Sequence, residues 1–441
     1  MYRFASNKSP LIFFAQHQCC RVLVFCKERD CSERGFFPYF NCALKRGYGL
    51  EGGLEIARVT GMEASGKFNP PYCPSENCEF NDPDRVKKTR FWVKCGLAKR
   101  KLSNSVQVFK CKRCCRKFNA NYFSLNYRFH REDSLNFRIF TAITHNRSFR
   151  SIARELSVSE CLVRGRVARL YRVGLLHHFD FLEKVLINEP VAYDGLECFA
   201  RSQYEPNNIN QAIGVDSLFC YTFNFAPMNR KGRMSDRQKN YLKKLEVLEG
   251  RFNPRAIRVS THQLFTDLLD RKDPRLEKLV LHTDEHFQYR RAIKRDLSPA
   301  QRKAIEHKTV SSKDCRNYKN ILFPVNHMDL LIRRYVAAFS RETICFSKKH
   351  TTMLGVYVLF MCSKNYMRPC FVKKHKRDVT AHTHSPAMKL GLVDNLMEFK
   401  DFFEEPLQKK NLHRHKANMP ASWQLLLDGE VEFKRERKYC A

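Results

Sequence analysis

The chain has 441 residues, enough for two or three domains with sizeable cores, and its 19 cysteines in a long basic chain exclude a small disulfide scaffold. Its 80 Lys and Arg against 45 Asp and Glu leave a net charge of +35, which suits a polyanionic partner, because each basic group on a phosphate releases condensed counterions. No run reaches the ~18 apolar residues of a membrane span, since Gln16, His17, Gln18 and Arg21 interrupt the nearest candidate, Leu11–Cys26, and reduced thiols point to the cytoplasm.

Residues 1–61 hold Cys19, Cys20, Cys26, Cys31 and Cys42 in no ligand pattern and show neither helical nor strand periodicity. Met62 follows and leads directly into the first motif. The expectation is a non-native or disordered extension over 1–61, with Met62 as the true start.

Cys73-Pro-Ser-Glu-Asn-Cys78 and Cys111-Lys-Arg-Cys114 are two close cysteine pairs across a hairpin-length spacer. Such pairs can supply four thiolates to a tetrahedral Zn²⁺. VFKCKRCCRKF reads as strand, knuckle and strand, with Phe109 and Phe118 packing over the metal and Cys115 as an alternative to Cys114. These features predict a zinc ribbon over 66–125, with Lys112 and Arg113 on the knuckle touching phosphates.

Asn136–Arg172 carries three apolar stripes at helical spacing: Phe137, Phe140, Ile143; then Ile152, Ala153, Leu156; then Val163, Val167, Leu170. The short turn Ser157-Val158-Ser159, with Ser159 as a helix cap, predicts an all-α helix-turn-helix domain over 130–176. Its last helix would expose Arg164, Arg166 and Arg169 to double-stranded DNA.

From about Lys184 the pattern turns to strands. VLINEPVAYDGLECFARS, INQAIGVDS and LFCYTFNFAP fit an antiparallel meander. A basic helical stretch follows, then the strand LEKLVLHTDEHFQY ending at Asp284, and a helix from about Val325. Three antiparallel strands, a helix, a fourth strand and a late helix is the order of the ribonuclease-H-like fold. The fold class is therefore α/β, a mixed sheet flanked by helices over 185–372. In that order Asp194 on the first strand and Asp284 on the fourth become neighbours. Clustered carboxylates of this kind hold Mg²⁺ or Mn²⁺ for phosphodiester chemistry. On the late helix Asn326 and Asp329 are i and i+3 and share a face, with Arg333 one turn beyond, suited to a phosphate. Residues 373–441, basic and punctuated by proline, read as a C-terminal appendage.

With these residues assembled, the chain resembles bacterial insertion-sequence transposases of the DDE type. The resemblance rests on YDGLE around Asp194, HTDEHFQY at Asp284, and PVNHMDLLIRR leading to SRETICFSKK. It implies a transposase that binds element ends and cleaves and transfers DNA strands, working as a homo-oligomer near the nucleoid. Asp194 and Asp284 match the first two acids. The usual glutamate position is Asn326 here, so Asp329 is expected as the ionised third ligand and Asn326 as a neutral co-ligand. His286, His307 and Arg333 are candidates for positioning phosphate or water.

Overall fold

A computed structural model describes residues 68–86, 90–99, 105–129, 134–311, 313–373, 378–409 and 416–440. The expectation for residues 1–61 lies outside them. The described residues are mixed α/β with two separate sheets.

The first sheet is antiparallel, in the order β1 (Trp92–Ala98), β2 (Val106–Cys111) and β3 (Lys117–Asn119). Phe109 pairs with Phe118 across β2 and β3, and their rings stack at 5.9 Å between centroids. With Phe91, Trp92 and Phe123 they form a small aromatic core that includes Cys73, Cys78 and Cys111. The aromatic rings therefore pack beside the cysteines, as the strand–knuckle–strand pattern predicts.

Three helices follow: α1 (Ser134–Ile143), α2 (Phe149–Glu155) and α3 (Glu160–Leu182). Ser148 and Ser159 cap the second and third by accepting the N–H groups of Ser151 and Leu162, satisfying donors that the first turn leaves orphaned. The buried stripe of α1 is Leu135, Ile139, Phe140 and Ile143. Phe137 lies outside it, 53% exposed, with its edge against Phe399. Helix α3 runs 23 residues, well past Arg172, and it is buried on every side from Val173 to Phe179. Helix α7 (His350–Cys362) crosses it closely; Gly355 is required there because a Cβ would overlap the ring of Tyr171.

The second sheet has the order β6-β5-β4-β7-β8. Strands β4 (Val191–Phe199), β5 (Pro206–Gly214) and β6 (Cys220–Pro227) form the antiparallel meander. Strand β7 (Leu279–Asp284) lies parallel to β4, and β8 (Ile305–Val310) parallel to β7. Between β6 and β7 stand α4 (Asp236–Glu249), closed by a Ser235–Gln238 capping box, and α5 (Ala256–Leu269). Helix α6 (Phe323–Tyr335) ends well before Ser340, shorter than its sequence run suggests. Strand β8 is an edge strand whose IEHKTV run buries only Ile305, so it carries no apolar alternation to announce it.

Two boundary expectations are corrected. One continuous apolar core runs from Leu125 to Val431 and joins α1–α3 to the five-stranded sheet, so 130–176 and 185–372 do not hold separate cores. The C-terminal residues are likewise part of that core rather than an appendage. Phe402 and Phe403 are buried there, as are Trp423 and Leu426 of α8 (Ala421–Asp428). The Trp423 indole stacks on Phe223 and donates to that residue's carbonyl at 2.8 Å. Basic and proline-rich composition hid these aromatic anchors. No helix of the described residues is long and apolar enough to cross a membrane.

Candidate metal centres

The first candidate centre is built from two knuckles. The Cys73 N–H donates to the carbonyl of Phe80 and the Cys78 N–H to that of Ser75, folding the first pair back on itself. The Cys111 N–H donates to the Arg116 carbonyl and closes the second turn, where Cys115 adopts a positive φ of 58°. The sulfurs of Cys73, Cys78, Cys111 and Cys114 all lie within 4.8 Å of one another, with Cys73 to Cys114 at 3.5 Å and Cys78 to Cys111 at 3.9 Å. Tetrahedral zinc with Zn–S of ~2.3 Å implies sulfur separations of about 3.8 Å. The four cysteines therefore form a set able to hold a metal ion. Cys115 is exposed and outside that set, as is Cys95. Lys112 and Arg113 are exposed beside the knuckle, and Arg113 makes a surface pair with Glu79 at 3.5 Å.

The second candidate centre is assembled over long range. The parallel register of β4 and β7 sets Tyr193 against Thr283, so Asp194, inside β4, and Asp284, the last residue of β7, follow as neighbours. Across β4 and β5, Asp194 faces Gln211. The Asp194 Oδ1 accepts the Gly195 N–H at 2.7 Å and a longer bond from the Tyr289 hydroxyl at 3.5 Å. A side chain at Gly195 would collide with the Asn208 amide, so β4 carries glycine directly after the acid. The Asp284 Oδ1 accepts the His286 N–H at 2.9 Å.

Asp329 of α6 completes the group. Its Oδ1 accepts from the Gln211 amide at 2.5 Å. Burial first, and then the charge of Asp284, push the Asp194 carboxyl up to about 6. Burial, and then the charge of Asp194, push Asp329 up to about 7. The guanidinium of Arg316, exposed on the β8–α6 loop, opposes the rise at both acids. Asp194, raised by Asp284, and Asp329, raised by Asp194, are short of positive charge, and carboxylate oxygens suit a hard divalent cation. Among the described residues, however, only the cysteine set gathers its donor atoms within 4.8 Å.

The remaining expected residues fall out as follows. Asn326 lies half-buried on α6, one turn before Asp329. Arg333 donates to the Glu197 carbonyl on β4 at 3.0 Å. The His307 ring contacts the Thr283 hydroxyl at 2.9 Å on the strand beside Asp284, and the His286 ring stacks on Phe287. On α3, Arg164 is exposed and paired with Glu160 at 2.5 Å. Arg169 is half-buried and donates a long 3.4 Å bond to the Tyr127 carbonyl.

Arg166 requires a correction: it is 1% exposed. Its guanidinium bonds Asn126 and Asn136 at 2.6 and 2.9 Å and lies 4.1 Å from the Phe129 ring centre. It sits one turn before the buried Leu170 stripe, on the inner edge of the helix, and cannot reach a groove. Sequence reasoning missed Gln211, Tyr289, Tyr357 and Arg316. A glutamine in the apolar run INQAIG was the one available signal.

No protein-family model matches the chain, and no curated protein matches it either.

Proposed function

We propose that the chain is a DDE-type transposase, cleaving and transferring DNA strands with Mg²⁺ or Mn²⁺ held by Asp194, Asp284 and Asp329. The observation that carries this reading is the adjacency of Asp194 and Asp284 on parallel neighbouring strands, with Asp329 within electrostatic reach. The strand order, a three-stranded antiparallel meander extended by two parallel strands, supports the ribonuclease-H-like assignment. The cation would sit among the three acids, polarising a phosphodiester and lowering the pKa of the attacking hydroxyl or water. The carboxylates would hold it, the Gly195 and His286 N–H groups orient Asp194 and Asp284, and the exposed Arg316 offers a charge for a phosphate oxygen.

The DNA-reading front end would be a zinc ribbon at Cys73, Cys78, Cys111 and Cys114 followed by a helix-turn-helix. The cap at Ser159 and the Ser157 turn support the latter, with Arg164, Lys112 and Arg113 as its exposed cations. A homo-oligomer on paired DNA ends follows from the resemblance alone.

The test is nicking of labelled duplex carrying candidate element ends, with Mn²⁺. Asp194→Ala and Asp284→Ala should each lower the rate by at least about 1000-fold while the fold persists. Cleavage that survives in both variants overturns the catalytic assignment. Metal-independent DNA binding with no cleavage by the wild type would instead identify an inactive, DNA-binding descendant of such an enzyme.

A further inference from the structure

We infer that Gln211 and Tyr357 are positioning residues of the carboxylate centre, and that they make Asp329, rather than Asn326, its third ligand. This rests on the proposed function and names the support of that same site.

Gln211 is fully buried in the middle strand of the meander, directly across from Asp194. A primary amide has one acceptor and one donor end, and here both are used. Its Oε1 accepts from the Tyr357 hydroxyl at 2.9 Å, and its Nε2 donates to Asp329 Oδ1 at 2.5 Å. With the Tyr357 hydroxyl donating to the amide oxygen, the NH2 end of the amide is the one that faces Asp329. That end is a donor, which complements an ionised carboxylate and occupies one of its two oxygens. The other oxygen, Oδ2, would then be the one offered to a cation. Cys220 lies behind the tyrosine, its sulfur 3.7 Å from the same hydroxyl, so the chain of contacts ends in the apolar core.

The hydrogen bonds of this relay join three separate elements, β5, α6 and α7, and β4 lies beside β5 in the ladder. Asn326, one turn earlier on α6, has no such partner among the described residues. An outer group that orients a ligand's carboxylate is a recurrent requirement of metal sites, and losing one typically costs about 10–100-fold in affinity.

The test is Mn²⁺ binding to the full-length, zinc-loaded protein without DNA, followed by the loss of the free-ion paramagnetic resonance signal. Wild type should take up Mn²⁺ at a site that Asp194→Ala removes. Gln211→Leu should weaken it about 10–100-fold, and Tyr357→Phe, which keeps the packing and loses only the hydroxyl, by a smaller factor. Asn326→Ala should weaken it less than either Asp329→Asn or Gln211→Leu. Folded Gln211→Leu and Tyr357→Phe proteins, judged by near-ultraviolet dichroism, that bind Mn²⁺ like wild type overturn the inference. So does an Asn326→Ala protein weaker than Asp329→Asn. If Gln211→Leu does not fold, Tyr357→Phe alone decides. Wild type that takes no Mn²⁺ removes the proposed function itself, a result distinct from wild type that binds and variants that bind alike.

Discussion

The two candidate metal centres are put together in opposite ways. The cysteine set comes from two short knuckles, each closed by its own backbone hydrogen bonds, and its four sulfurs already lie within 4.8 Å. Its members are close in the chain, so local turns and a few aromatic rings suffice to gather them. The carboxylate centre draws Asp194, Asp284 and Asp329 from two strands and a helix that only the whole sheet brings together. Like charges in a half-buried place oppose that approach, so these acids lean on neighbours such as Gln211, Tyr357, Gly195 and the His286 backbone. The difference predicts that each centre should fail differently.

The largest expected effect is at the cysteines. The core of residues 68–123 is a handful of aromatic rings, too small to be stable alone, whereas a structural zinc contributes on the order of 10 kcal/mol. Stripping zinc with a strong chelator, or making Cys111→Ser, should abolish amide exchange protection in β1–β3. Protection in β4, β5 and β7 should persist, because their core is continuous from Leu125 to Val431. Exchange that stays slow in β1–β3 without metal would break the comparison.

The next effect tests long-range support away from either centre. Arg166→Ala leaves the Asn126 and Asn136 oxygens, both buried, without their charged donor, so it should cost about 3 kcal/mol in urea unfolding. Arg164→Ala breaks an exposed pair with Glu160 and should cost no more than about 0.5 kcal/mol. Equal losses for both arginines would mean that the buried network is not the strut described.

This contrast also explains what was legible in the sequence. The cysteine spacing named all four members of the set, because the ligands are close in the chain and their geometry is set by turns. The serine caps and the three helices were readable for the same reason. The neighbouring placement of Asp194 and Asp284 was readable because strand order is a coarse, periodic property. What failed was orientation. The helical arginines 164, 166 and 169 look alike in sequence, yet only packing against Asn126 and Phe129 decides that Arg166 turns inward. Strand β8 escaped because an edge strand with one buried residue has no apolar alternation. The C-terminal residues escaped because two short apolar clusters, Phe402–Phe403 and Trp423–Leu426, carry the packing inside an otherwise basic run.

A smaller effect separates the carboxylates from the thiols by pH. Asp329 is held up to about 7, by burial first and then by Asp194. A carboxyl raised above its unfolded value stabilises the fold fully below about pH 4, and that contribution is lost as pH rises through about 7. Without divalent metal, Asp329→Asn should therefore be more stable than wild type near pH 8, by on the order of 1–2 kcal/mol once solvent at the site edge is allowed for. The advantage should shrink towards zero as the pH falls to about 4. Mn²⁺ should close the gap near pH 8 by stabilising the wild type alone. Thermal unfolding with and without Mn²⁺ measures this; a variant less stable than wild type near pH 8 without metal contradicts the charge crowding.

The smallest effect concerns the exposed cations of the front end. Lys112 and Arg113 stand beside the cysteine knuckle and Arg164 on the outer face of α3. If each meets a phosphate, its replacement by alanine should weaken binding about equally for all DNA sequences and lower the slope of log affinity against log salt by about 1. Arg164 lies near the N-terminal end of α3, the part of a recognition helix that meets base edges, so its loss should in addition narrow the preference between element ends and unrelated duplex. Fluorescence anisotropy over a salt series separates the two outcomes. A slope unchanged in all three variants would move the DNA surface away from the knuckle and α3, to the basic loops around Arg316 and the carboxylates.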